Sequence, residues 1–511
     1  MTIKKKRVIN VPYVKRVVSI VCLLALSLSL LTTVALADEP YTAYQYDWYG
    51  DVLPSQNGYI ATSSIRGQDI DGCGALNNPN DMFISADRKF YIADTDNNRI
   101  VVLDENFKFV KEIKEVKDAD GTVTSLNKPQ GVFVTADNEI YIADTLNERV
   151  IGISQDGNIF ASFYKPDVDA YDKDAFQPKK VIVDKSNNVF VLVDNITLGA
   201  LEFTYDKVSG NVAFKSFYGA NRVEETAEVI KNKFFSIFLN DEQMAKRKKA
   251  APVEFSNFDI DEDGFVYTVT KASSAEKTTD ILKKLNPGGT NIFADMGYSN
   301  NSYGNETNRY YGGKNYFSKI VDVDIGDNGI INIIDQETNR IFQYNENCDL
   351  LFEFGGTGNQ TGLFAFPVAV ESLDNKVYVL DMRKDSVTTF ERTQFGEYVH
   401  KAEDLHLQGL YDEAKDLWEE VMRRDGNYYF SYVGIGRAYL NAHDYKTAMY
   451  YFNHRSIPGY NKAFKYYRRE FIRDNFTVMA IVLIVAVVAI IVIRKLLKKR
   501  KIKKLTEGKV K

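Results

Sequence analysis

Two stretches of this chain carry one pattern twice. PNDMFISADRKFYIADTDNNRIVVLD starts at Pro79 and PQGVFVTADNEIYIADTLNERVIGIS starts at Pro129. Each runs from Pro through alternating apolar residues and a polar turn to the tetrapeptide YIAD. An Arg follows five residues beyond that Asp, giving the pairs Asp94/Arg99 and Asp144/Arg149 at a period of 50 residues. Alternation at period two is a strand signal. A fixed period of this length, filled by several short strands, reads as a propeller blade.

The unit recurs with decay. Pro178 opens KKVIVDKSNNVFVLVD, ending at Asp194, and Phe255 opens SNFDIDEDGFVYTVT, with Thr270 in the Asp place. Ile320 opens VDVDIGDNGIINIIDQETNRIFQY, which restores Asp335 and Arg340, and Pro367 opens VAVESLDNKVYVLD, ending at Asp381. Six units predict a mainly β fold, a six-bladed β-propeller over 38–396, with GYIATSSIR (58–66) as the strand that closes the last blade. The repeated Asp is expected to accept hydrogen bonds from the backbone of the turn after it, and the Arg to pair with a carboxylate. Recurrence once per blade at a turn marks a fold determinant, so these Asp residues do not predict a metal ring. The blades resemble NHL repeats, in the wider group that includes gluconolactonase-like propellers, over roughly residues 50–395. That resemblance implies either a binding propeller or a lactonase-type hydrolase. In the second case a divalent metal such as calcium would sit in the central channel, held by Glu, Asn and Asp.

The ends follow other rules. Lys4–Arg7, Lys15 and Arg16 precede an apolar run that finishes in Ala35 and Ala37, an export signal over 1–37 with an A-x-A site. Phe476 to Ile493 is free of charge, long enough for a transmembrane helix over 475–493, and eight Lys or Arg follow within Arg494–Lys504. The positive-inside rule then predicts a single-pass plasma-membrane protein, its bulk outside and a basic tail (494–511) in the cytoplasm. Between leader and tail, 48 basic residues face 68 acidic ones, a formal −20 that repels nucleic acid. Cys73 and Cys348, the latter in a hairpin turn expected on the rim, are expected to remain unpaired thiols.

Beyond the propeller the texture is helical. YDEAKDLW (411–418) realigns with YKTAMYYF (445–452) at a spacing of 34 residues, the tetratricopeptide period, within a helical segment over 397–474. Inside the propeller, an insertion at 222–250 sets Val223, Ala227, Ile230, Phe234 and Phe238 at helical spacing. Phe234 and Phe238 are expected to face the propeller or a partner, because burying each contributes about 1.5–3 kcal/mol.

All four His residues lie in the helical segment. The propeller therefore lacks the His-ligated zinc and the His base that the family resemblance would otherwise imply. FGGTGNQTGLFAFP (354–367) has no helix behind it and reads as a turn between blades. No catalytic residues and no metal ligands are assigned. The loops around Trp48, Tyr298, Tyr303, Tyr310 and Tyr311 mix aromatic rings with Asn and Gly, a composition suited to glycan or peptide contact. The order of leader, propeller, helical repeats, span and basic tail is similar to that of membrane-anchored surface proteins of Gram-positive bacteria. It implies protein partners at the membrane surface, transporter components among them. Two readings stay open: a non-catalytic scaffold or receptor, and a metal-dependent lactonase.

Overall fold

Proline opens four of the six blades, and strand register explains why. A residue without an N–H is tolerated at the first position of a strand. Here that position lies opposite the Asp that ends the second strand, as in Pro79↔Asp94, Pro129↔Asp144 and Pro367↔Asp381. The computed structural model describes residues 39–46, 51–171, 175–194, 196–220, 254–270, 280–296, 298, 303–305, 309–311, 314–326, 329–453 and 456–507. The expected leader (1–37), the insertion with Phe234 and Phe238, and Trp48 lie outside these.

Six antiparallel sheets form the ring. Blade one is Pro79–Ile84, Phe90–Asp94, Arg99–Leu103 and Phe109–Ile113; blade two is Pro129–Val134, Ile140–Asp144, Arg149–Ile153 and Ile159–Phe163. Blade three is Pro178–Val183, Asn188–Val193, Gly199–Asp206 and Asn211–Gly219. Blade four has three described strands, Asn257–Ile260, Val266–Val269 and Leu282–Leu285, followed by the short helix α1 (Ile292–Met296). Blade five is Ile320–Ile325, Ile331–Asp335, Arg340–Tyr344 and Leu350–Gly355. Blade six joins Pro367–Leu373, Lys376–Asp381 and Ser386–Arg392 to Tyr59–Arg66 from the other end of the propeller. The first strands touch in cyclic order, so they line the axis.

The repeated motif is a double latch. Asp94 accepts the Asn77 N–H at 2.7 Å, Arg99 Nε at 2.6 Å and Asn97 Nδ2 at 2.8 Å. Asp144 repeats the set with Asn127, Arg149 and Asn147. The next residue reaches forward: Thr95 Oγ1 donates to the Pro129 carbonyl and Thr145 Oγ1 to the Pro178 carbonyl, both at 2.7 Å. In blades one and two, then, the amide comes from the segment before the first strand rather than from the turn that follows the Asp. Blades five and six keep that amide, from Lys319 and from Ala365 with Phe366, and add the following turn through Glu337 and Arg383. Arg340 finds its carboxylate in Glu353. Blade three departs, because Pro178 pairs with Val193 and Asp194 falls one residue beyond. Asp194 is half-buried and bonds Lys179 instead.

Helices α2 (Gln394–Leu407), α3 (Tyr411–Arg424), α4 (Tyr429–Asn441), α5 (Tyr445–Phe452) and α6 (Ile457–Asp474) follow blade six. Their ends are written locally: Thr393, Asp444 and Ser456 cap α2, α5 and α6, and α3 begins with Asp412 and Glu413 and ends with Arg423 and Arg424. One hydrophobic core runs from blades five and six into the helices through Tyr59, Phe352, Phe354, Phe395, Val399, Trp418 and Tyr428. Helix α7 (Phe476–Glu507) contains one stretch long and apolar enough to cross a membrane. Cys73 and Cys348 are free and both buried; Cys348 lies in the expected hairpin turn of blade five, between Arg340–Tyr344 and Leu350–Gly355, where Tyr303 packs with it.

Candidate functional site: the propeller channel and its mouth

Bulges build the mouth. In five of the first strands the register slips after the opening residue, leaving one extra residue: Asn80, Gln130, Lys179, Val321 and Val368. Such bulges redirect a side chain out of the ladder. These five residues and Ser256 of blade four line a cavity of about 180 Å³ together with Gln336, Phe366 and Met382. Its wall is polar along blades one to four and apolar along Val321, Phe366, Val368 and Met382.

Below the mouth, period two places two rings of side chains toward the axis. The first is Asp81, Gly131, Lys180, Asn257, Asp322 and Ala369, which share one register position. The second, two residues on, is Phe83, Phe133, Ile182, Asp259, Asp324 and Glu371. Lys180 Nζ crosses from blade three to Asp81 Oδ1 of blade one at 2.5 Å, and Asn257 donates to Asp322. The second ring is divided, with Phe83 and Phe133 packed at 4.7 Å between ring centroids on one side and three carboxyls on the other.

Each carboxylate accepts a backbone N–H from the next blade. Asp81 takes Val132 at 2.9 Å, Asp259 takes Ile325 at 2.9 Å, Asp322 takes Val370 at 2.7 Å, Asp324 takes Ser372 at 3.2 Å and Glu371 takes Ile84 at 3.1 Å. A hydrogen bond contributes about 0.5–1.5 kcal/mol, and more where the acceptor is charged, so these contacts stitch neighbouring blades. Between blades two and three there is no such carboxylate. There a Cβ on Gly131 would stand 2.3 Å from the Lys179 carbonyl, so only glycine lets the strands meet.

Crowding of acids sets the protonation. Burial, with Asp324 adding, pushes Asp259 up to about 7, and burial with Asp324 and Asp259 lifts Glu371 well above the usual range. Burial pulls Lys180 down, but Asp81, Asp322 and Glu371 outweigh it and keep the ammonium charged. Among the described residues, no group of three or more His, Cys, Asp or Glu is arranged to hold a metal ion.

A second cavity of about 210 Å³ lies where α2 meets the propeller, lined by Asn345, Arg392, His400, Lys401, Glu403 and Asp404 among others. His400 Nε2 is 2.7 Å from Gln343 Oε1, and burial holds the ring neutral, far below its ordinary pKa. Glu403 accepts Asn345 Nδ2 at 2.6 Å, and burial raises it to about 7.

The expected aromatic contacts are dispersed. Tyr303 is 2% exposed, packs edge-on against Tyr344 and donates its hydroxyl to the Tyr298 carbonyl at 2.9 Å. Tyr298 is half-buried against Phe293, its hydroxyl 3.3 Å from Asn347 Oδ1. Tyr310 and Tyr311 lie in a short strand, Arg309–Tyr311, with side chains outside the described set. Sequence reasoning missed the channel residues because each strand supplies only two and the strands are about 50 residues apart. One signal was present: charged residues at the second and fourth positions after the opening residue of otherwise apolar strands.

No family model matches the chain, and no curated protein matches it. Similar solved structures include virginiamycin B lyase from Staphylococcus aureus, at 11% identity and TM-score 0.37, covering 66% of this chain and 100% of that one. Another is a protein of unknown function from Bacteroides thetaiotaomicron, at 8% identity and TM-score 0.39, covering 67% and 79%. A protein from Lactobacillus plantarum aligns at 13% identity and TM-score 0.35, over 68% of this chain and 85% of its own.

Proposed function

We propose that this chain is a membrane-anchored binding scaffold that holds protein or glycan partners at the mouth of an NHL-type propeller. Its tetratricopeptide-type helices offer a second surface beside the membrane. The observation that carries this reading is how the channel's acids are used. Asp81, Asp259, Asp322, Asp324 and Glu371 each bond the backbone of the next blade, which spends them on holding the ring together. Above them the mouth is half amide, hydroxyl and ammonium and half apolar, a mixture that suits a sugar face or a short peptide. In this reading the loops with Trp48, Tyr298, Tyr310 and Tyr311 contribute further contacts, Phe234 and Phe238 meet the propeller or a partner, and the bulk lies outside the cell. Partners beside a transporter would fit that placement.

A lactonase-type reading draws on one feature, the grouping of Asp259, Asp324 and Glu371 on one side of the second ring. A divalent cation there would need those three acids ionised, against the burial that raises each of them. The test compares the full chain with a doubly substituted mouth, Asn80→Trp with Lys179→Glu, purified from detergent-solubilised membranes. Loss of co-purifying partners with an unchanged melting temperature is expected. Metal-dependent turnover of sugar lactones, abolished by Asp324→Asn, would overturn the scaffold reading.

A further inference from the structure

Helix α6 exposes an aromatic surface that, among the described residues, is met only at Tyr467, where the Lys446 ammonium lies 5.6 Å from the ring centre. Ile457, Tyr460, Phe464 and Phe471 are 49%, 37%, 45% and 51% exposed, and with Tyr467 they recur at helical spacing along one stripe. Neighbouring rings meet along it: Tyr460 and Phe464 lie parallel at 6.5 Å, and Tyr467 and Phe471 are tilted by 31° at 6.4 Å. A different face of α6 packs inward. Ala463 is buried, Tyr466 stacks on Tyr445, and a Cβ on Gly459 would stand 2.7 Å from Phe452. Arg468 borders the stripe, and Lys465, Arg469 and Lys462 continue round to the opposite face, all four exposed. The acids of the helix, Glu470 and Asp474, are both bonded to Arg473.

What covers the stripe follows from what comes next in the chain. Asn475 alone separates α6 from α7, whose first 18 residues carry no charge. Its backbone (φ −106°, ψ 11°) leaves the α-helical region, and its side-chain amide donates to the Phe471 carbonyl at 2.9 Å, so the two helices meet at a joint. We infer that α6 lies in the headgroup layer of an anionic bilayer, with its aromatic stripe at the acyl boundary and its cationic face among the lipid headgroups. Amphipathic helices with aromatic and basic residues take this position, and basic residues next to a span add attraction to anionic lipid. A second copy of the chain is the competing occupant. The excess positive charge of the helix opposes it and favours lipid. The inference rests on reading α7 as a membrane span.

The test uses the full chain in vesicles of phosphatidylglycerol mixed with phosphatidylcholine, carrying bromine at shallow or deep acyl positions. Phe464→Trp reports on α6 and, in a separate variant, Val485→Trp reports on α7. Expected is quenching of the Phe464→Trp fluorophore by shallow bromine and of Val485→Trp by deep bromine. The α6 signal should fall roughly twofold in pure phosphatidylcholine, or when Lys462, Lys465, Arg468 and Arg469 are changed to Gln. A quenched α7 beside an unquenched α6 overturns the inference and leaves the span intact. Phe464→Cys cross-linking between copies, with no quenching, overturns it in favour of a dimer. If neither fluorophore is quenched, the span and the inference fail together.

Discussion

Asp81 and Gly131 hold one register position in neighbouring blades, and each joins its blade to the next by opposite means. Asp81 reaches to the Val132 amide, while Gly131 removes its side chain so that the strands touch. The second ring carries a cost with this stitching. Asp259 has a folded pKa of about 7, above its unfolded value, so the native state binds its proton more tightly than the unfolded chain. That contribution is complete below the unfolded pKa and is lost as pH rises through the folded one. Asp259→Asn keeps an acceptor for Ile325 without the charge. It should stabilise the protein by about 1–4 kcal/mol at pH 8, with the gain disappearing near pH 4, in urea unfolding at the two pH values. The motif Asp is a different case. Asp94→Asn removes the buried carboxylate shared by Arg99, Asn77 and Asn97, while Arg99 keeps its pair with Glu112, and should cost about 1.5–3 kcal/mol. Asp194→Asn, which removes only a half-buried pair outside the ladder, should cost less than about 1 kcal/mol. Equal losses in the two variants would contradict the one-residue offset of blade three.

Among the elements, the blades were the most legible part of the sequence. Pro, alternation and Asp recur at a fixed spacing, and Tyr59–Arg66 closes blade six as its alternation predicts. Two things were not legible, for a shared reason. The register of blade three and the bulges that expose Asn80, Gln130 and Lys179 depend on which residues pair across strands, and a repeat alignment does not encode that. The junction of the helices with the propeller is also long-range: Tyr428 Oη donates to the Leu351 carbonyl at 3.1 Å, and Asp425 accepts Ser55 Oγ at 2.8 Å. Because one core serves both parts, they should unfold together. Trp418→Ala, at a site 1% exposed, should cost about 3–5 kcal/mol and lower a single transition seen alike by far- and near-ultraviolet circular dichroism. A helical transition that separates while the propeller stays intact would show that the shared core does not couple them.

At the scale of the whole molecule, a closed ring is followed by a helical segment that shares a core with two of its blades and by one helix long and apolar enough to cross a membrane. The mouth is the surface on which a scaffold and a hydrolase make opposite predictions. Its bulged residues are half-buried around an open cavity, while the acids beneath them are bonded between blades. The most direct measurement replaces Gln130 with a photo-cross-linking benzoyl-phenylalanine in the full chain and irradiates intact membranes. A discrete adduct with one macromolecule, lost when Lys179→Glu is added, is the predicted result. No adduct at the mouth, together with metal-dependent lactone turnover in the same membranes that Asp324→Asn abolishes, would contradict it.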